Sequence, residues 1–153
     1  MARAETGFPS GMRGATTARR GDQVLRCAAL LYLVGFLLHT GDHLRRGVDV
    51  LTPEVFWAGV ASSILVVVAI TLALVGHRLA PLIAVAAGFP VALGVAAVHL
   101  APQWSAFSDS LPDGHVDAWT WAAVLVEIAG ALAFAAAGAY VLRQRGRRDD
   151  TRG

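Results

Sequence analysis

The chain has 153 residues, of which 56% are hydrophobic and 16% are charged, and its mean hydropathy is +0.56. Because a soluble domain carries about 25% charged residues, this composition excludes an ordinary soluble globular protein. The net charge is +2, and all thirteen basic residues are arginine, which is typical of GC-rich bacterial coding. The single cysteine, Cys27, excludes an internal disulfide and a CxxC site.

Four long apolar segments follow one another along the chain. Residues 55–76 and 79–98 contain no acidic or arginine side chain. A helix needs about 20 apolar residues to cross the roughly 30 Å hydrocarbon core of a bilayer. The sequence therefore predicts an all-α integral membrane four-helix bundle in a domain of residues 22–142. The predicted spans cover residues 24–43, 55–76, 79–100 and 118–142.

The two ends of the chain are polar. Residues 1–21 are rich in Gly, Ala, Thr and Arg and have no apolar period, which predicts a disordered cytoplasmic tail. Residues 143–153 are predicted to form a basic cytoplasmic tail. The first apolar segment lacks a small-residue cleavage pattern and is followed by HTGDH, so we interpret it as a retained signal anchor.

The distribution of arginine predicts the orientation. The link His77–Arg78 is so short that spans two and three form a hairpin, which places the link on the same side as both termini. Eleven of the thirteen arginines fall on that side, and Arg45 and Arg46 are the exceptions. By the positive-inside rule, both termini are predicted to be cytoplasmic in the inner (plasma) membrane.

Small residues predict how the helices pack, because helices in lipid associate where their backbones can approach closely. Two rows at i+4 spacing consist of Ala84, Gly88, Ala92 and Ala96 in span three, and Ala123, Ala131, Ala135 and Ala139 in span four. Glu127 occupies the missing place in the second row and is predicted to point into the bundle. An acid at this depth is usually paired, protonated or functional.

Three polar residues lie at about the depth of Glu127 by helical rise, namely Tyr32, Ser62 and Ser63. One interpretation is a neutral Glu127 that bonds to Ser62 or Ser63 and only fixes the helix register. The other interpretation gives this intramembrane acid a functional role.

A histidine cluster is the most informative pattern. His39 and His43 are four residues apart, so on a continuous helix their rings share one face and can bind one metal ion. Gly41 lies between them and could end the helix early. His99 ends span three on its predicted buried face, and the topology brings it to the same side of the membrane.

These residues predict a transition-metal site with His39, His43, His99 and Asp42 as candidate ligands. Three imidazoles and a carboxylate suit zinc, copper or iron and leave room for water or substrate. Asp109 and His115, in the loop between spans three and four, are candidate supporting residues. The alternative is that the histidines bond only backbone or water, and that Asp42 pairs with Arg45 or Arg46.

Three functions stay open at this point, and the sequence does not decide whether the chain is an enzyme. A metal-binding protein or metalloenzyme would use the histidines as ligands, with Asp42 or Asp109 activating water in a hydrolase. A haem-binding electron carrier would pair His39 or His43 with His99. A non-catalytic accessory or assembly subunit would use the same residues to contact a partner.

The lipid bilayer is the expected partner of the apolar spans. A homo-oligomer or a membrane partner subunit is compatible with the same sequence. The arginines of the C-terminal RQRGRR segment directly follow a span, where they favour topology or anionic lipid contact over nucleic-acid binding.

Overall fold

The computed structural model describes the backbone of residues 10–150 and the side chains of residues 19–147. This part of the chain is helical and contains no strand, so the all-α prediction is confirmed. The long helices are α1 (Ser10–Arg46), α2 (Pro53–Leu74), α3 (Ala80–His99) and α4 (Ala118–Asp150). A single 3-10 turn, Val48–Val50, follows α1.

All four helices are long and apolar enough to span a membrane, as the sequence predicts. The spanning segments are Arg19–Arg46, Pro53–Leu74, Ala80–His99 and Ala118–Arg147. Helix α1 begins at Ser10, so helical structure extends into the segment predicted as a disordered tail. The remainder of that tail, residues 1–9, and the last three residues of the basic tail lie outside the described part of the chain.

Local chemistry sets the helix ends. The Thr52 hydroxyl accepts a hydrogen bond from the Val55 N–H at 3.2 Å, and Pro53 occupies the first turn, where its missing N–H costs least. The Asp117 carboxylate accepts from the Thr120 N–H at 3.0 Å at the start of α4. Gly76 has a φ of +72° in the reversal between α2 and α3, a conformation that favours glycine.

Helix α4 lies between α1 and α3 because glycines let the backbones approach. A Cβ added at Gly35 of α1 would lie 2.7 Å from the Glu127 Cα of α4, and one added at Gly138 would lie 2.5 Å from the Pro81 carbonyl oxygen of α3. Neither position has space for a larger residue. Close backbone approach thus holds α1, α3 and α4 together.

The predicted rows of small residues lie on these contact faces. The buried members are Ala84, Gly88, Ala92, Ala123, Ala131 and Ala135. Ala96 and Ala139, at the ends of the two rows, are only partly buried. The i+4 pattern of small residues therefore identified the sides on which α3 and α4 pack.

Helix α2 packs against α1 and α3 over only part of its length. Its lower half buries Val66, Ala69, Ile70 and Ala73. In its upper half, residues 53–65, Val55 is the only buried residue. The upper half of α2 therefore stands away from the rest of the bundle.

The two ends of the bundle are chemically different. At the link end, the Arg145 guanidinium donates to the Arg78 carbonyl at 2.8 Å, which joins α4 to the link between α2 and α3. The opposite end, here called the mouth, contains the C-terminus of α1, the C-terminus of α3 and the start of α4. The histidine cluster lies at the mouth.

Candidate metal centre

Three imidazole rings meet at the mouth. Helix α1 continues through Gly41 to Arg46, so His39 and His43 share one face and their ring centroids are 4.6 Å apart. The ring of His99, the last residue of α3, lies 4.7 Å from His39 and 5.5 Å from His43. One ligand atom from each ring lies within 4.8 Å of the other two. The convergence predicted from the sequence is therefore present.

His39 is oriented by Glu127. The Nδ1 atom of His39 bonds to the Glu127 carboxylate of α4, and both residues are buried. Because a carboxylate accepts, Nδ1 carries the proton and the lone pair lies on Nε2. Within the described residues, that Nε2 is buried without a hydrogen-bond partner. This arrangement matches the carboxylate–histidine pairs that orient metal ligands.

His99 is oriented by the loop between α3 and α4. Its Nδ1 donates to the backbone carbonyl of Asp109 at 3.1 Å, which leaves the Nε2 lone pair available. The loop is held there because the Asp109 N–H donates to the Val98 carbonyl and the Leu111 N–H donates to the His99 carbonyl. Leu111, which is 2% exposed, anchors the loop by burial.

His43 is not oriented for coordination in the way that His39 and His99 are. The Arg46 guanidinium, which can only donate, bonds to the His43 Nδ1 at 3.1 Å. A neutral ring that accepts at Nδ1 carries its proton on Nε2. Coordination by His43 through either nitrogen therefore requires Arg46 to release Nδ1, because a proton that leaves Nε2 must move to Nδ1 in a neutral ring. Of the three rings, His43 is the one whose bonds must change.

Asp42 belongs to an ionic cluster beside the three rings. Its side chain is fully buried, and Arg45 donates to its Oδ1 from Nε at 3.0 Å and from Nη2 at 2.8 Å. The Arg46 Nε lies 3.2 Å from Asp42 Oδ2. The structure thus pairs Asp42 with both arginines, and its predicted role as a ligand stays a prediction.

The same two arginines join the helices at the mouth. Arg45 also bonds to Asp117 and to the Thr120 hydroxyl of α4. Arg46 bonds to the Asp109 carboxylate at 2.7 Å. These pairs link the end of α1 to the α3–α4 loop and to the start of α4, so the ionic cluster holds the mouth together around the histidines.

The two supporting residues predicted in the loop differ in position. The Asp109 carboxylate lies 3.5 Å from the His99 Nδ1. Burial by itself would raise the pKa of Asp109, but the hydrogen bond and charge of Arg46 hold it below its usual value, so the group stays a carboxylate. His115 is exposed and does not belong to the group of three imidazoles.

Glu127 does not form the bond to Ser62 or Ser63 that one interpretation of the sequence predicts. The hydroxyls of Ser62 and Ser63 donate to the Gly59 carbonyl within α2, at 3.0 and 2.7 Å, while Glu127 bonds to His39. Neither serine therefore bonds to Glu127 in this structure. Tyr32 is buried against Phe134, with ring centroids 5.8 Å apart.

A cavity of about 570 Å³, here called the side cavity, lies between α1, α2 and α3. All three histidines and Glu127 contribute to its wall at one end. Most of the remaining wall is apolar, and it includes Ser62 and Ser63. A ligand position left open by the histidines would therefore face an apolar space.

Comparisons with protein-family models, with curated proteins and with solved structures found no match.

Proposed function

We propose that this chain binds one transition-metal ion through His39, His43 and His99. The observation that carries the proposal is the convergence of three imidazoles whose ligand atoms lie within 4.8 Å of one another. Two of these rings already direct an Nε2 lone pair away from their hydrogen-bonded Nδ1 atoms. A small inward movement brings nitrogen atoms at this spacing to the roughly 2.0–2.1 Å bonds of a tetrahedral ion.

The donor set indicates the type of site. Neutral imidazoles suit zinc, copper and iron, whereas magnesium and calcium prefer oxygen ligands. Three protein ligands with a position open to a cavity are typical of catalytic metal sites, because closed structural sites use four. A bound ion would supply Lewis-acid chemistry or, if redox-active, electron transfer. A membrane metalloenzyme is therefore the function that this geometry favours.

The spacing of the rings favours a single ion over haem. In a haem protein with two axial histidines, the porphyrin plane lies between the two imidazoles. Here the His39 ring contacts both other rings, with centroids 4.6 and 4.7 Å apart, so no macrocycle fits between them. Haem binding would require α1 and α3 to separate.

Elemental analysis of the full chain, purified in detergent, tests the proposal. We expect about one transition-metal ion per chain, as a three-ligand site with one open position implies, and loss of that ion in His39→Ala and His99→Ala. The matched controls are His77→Ala and His115→Ala, because both histidines are exposed and lie outside the cluster. A protein without a bound transition metal, or a His99→Ala variant with unchanged metal content, would overturn the proposal.

A structural role is the second candidate, because each of the three histidines already bonds to another part of the protein. His39 bonds to Glu127, His99 to the Asp109 carbonyl and His43 to Arg46. In an accessory subunit these bonds would fix helix positions without metal. This candidate predicts that His99→Ala lowers the melting temperature equally with and without added zinc.

We further propose that the mouth faces away from the cytoplasm, because eleven of the thirteen arginines lie toward the link end or the chain termini. A test uses His115→Cys in a Cys27→Ser background and a membrane-impermeant maleimide on intact cells. We expect His115→Cys to be labelled and a matched Arg78→Cys variant to be labelled only after permeabilisation. The reverse pattern would show the opposite orientation.

A further inference from the structure

The side cavity has an apolar body and one polar end. Its wall runs from Leu51 and Val55 near the mouth to Val66 in the middle of α2. Among the described residues, Glu127 is the one acidic residue in this wall, and its side chain bonds to His39. An apolar molecule can enter such a space without losing hydrogen bonds, whereas a water-soluble substrate would have to be desolvated there.

The cavity exists because α2 and α3 present small residues to it. Gly59 of α2 and Gly94 of α3 both line the cavity, and a Cβ added at either glycine would meet no atom within 4 Å. Its rim includes Leu44 and Ile64, whose side chains are exposed on the surface of the spanning region. The space is therefore open toward the lipid-facing side of the bundle.

The length of the cavity matches one leaflet of a membrane. Val55 and Val66 are eleven helical steps apart, which is about 16 Å at 1.5 Å per step. This is about half of the roughly 30 Å hydrocarbon core. Its volume of about 570 Å³ also falls in the range of about 300–1,000 Å³ that is usual for small-molecule sites.

The polar end provides groups that an apolar chain cannot satisfy. The Nε2 atom of His39 is more than nine-tenths buried and has no hydrogen-bond partner among the described residues. His43 and His99 line the same end. A ligand for the whole cavity must therefore place a polar group at the histidines and a hydrocarbon chain along α2.

From these features we infer that the side cavity binds a single-chain amphiphile, with its polar group at the three histidines. The inference rests on the proposed function, since it names the substrate class that the metal site would receive. The chain enters from the bilayer between α2 and its neighbours. The polar group then lies beside the open ligand position.

The probes are two palmitic acids, one with a diazirine at the chain end and one with a diazirine beside the carboxyl group. Each is added to full-length protein in phosphatidylcholine vesicles, and the crosslinked residues are mapped by mass spectrometry. We expect the chain-end probe to label Val66 and Val91 in preference to lipid-facing Leu65 and Val67. The carboxyl-end probe should label the neighbourhood of Thr40 and His43.

Filling the cavity provides the matched comparison. Gly94→Phe, or Gly59→Phe if the first variant does not fold, should abolish labelling of Val66. Leu93→Phe is the control, because Leu93 is adjacent to Gly94 but is 73% exposed and outside the cavity wall. Labelling of Val66 should be unchanged in that control.

Metal content is measured on the same preparations, which separates the two proposals. If the probes label the cavity and the protein contains the metal ion, both proposals are supported. Val66 labelling no stronger than Leu65 labelling overturns the lipid inference and leaves the metal site intact. Cavity labelling without metal supports chain binding and overturns the metal function. A dimer that Gly94→Phe converts to monomer would assign the cavity to a second copy of the chain and overturn the inference.

Discussion

Replacing Glu127 with leucine is expected to weaken metal binding at the mouth by about 100-fold, the upper end of the effect of losing a carboxylate that orients a metal-binding histidine. The bond from His39 Nδ1 to Glu127 fixes the ring and keeps the proton away from Nε2. Without it, the ring can rotate and its proton can occupy either nitrogen. Competition with a chromophoric chelator would measure the affinity.

The Glu127→Gln variant distinguishes orientation from charge. Its amide oxygen can still accept from His39 Nδ1, so we expect a loss of only about 10-fold, the lower end of the same range. Glu54→Gln is the matched control, because Glu54 is an exposed acid at the start of α2. Equal affinity in Glu127→Leu and wild-type protein would contradict a role for Glu127 in orienting the ligand.

Replacing both Arg45 and Arg46 with glutamine is expected to lower the free energy of unfolding by about 3 kcal/mol, which is the scale for leaving a buried charge unpaired. The Asp42 side chain is fully buried, and these two arginines are its charged partners. Their loss would also release Asp109 and Asp117 from α1. Denaturation of the protein in detergent, followed by circular dichroism, would measure the change.

Adding Asp42→Asn to that double variant should restore a large part of the lost stability, because the buried charge is then removed. The control replaces Arg143 and Arg147 with glutamine, since both are exposed toward the link end. This control should change the free energy of unfolding by well under 1 kcal/mol, as usual for surface charges. If Asp42→Asn gave no recovery, the buried charge would not be the source of the instability.

The ionic cluster also explains the two exceptions in the arginine distribution. Among the residues whose side chains the structure describes, 19–147, Arg45 and Arg46 are the only arginines at the mouth. Each is paired there, with Asp42 shared between them and with Asp117 or Asp109 in addition. Because neighbouring acids neutralise these two arginines and the pairs join the helices at this end, Arg45 and Arg46 weigh little against the topology signal of the other arginines.

The sequence is sufficient to predict the four spans, because a run of about 20 apolar residues has few alternatives to a transmembrane helix. It also determined which faces of α3 and α4 pack, since small residues at i+4 spacing allow close backbone contact. The meeting of His39, His43 and His99 followed from the same topology together with the i+4 spacing in α1. These features depend on local composition and helical period.

The groups that orient the histidines could be identified only from the folded structure. The sequence predicts an end for the first span at residue 43, but α1 continues to Arg46. His39 therefore lies seven residues, or about 10 Å, below the helix end, which brings it close to the depth of Glu127. The side cavity likewise depends on the separation of α2 from its neighbours, because hydropathy does not distinguish a face that packs on protein from one that faces lipid.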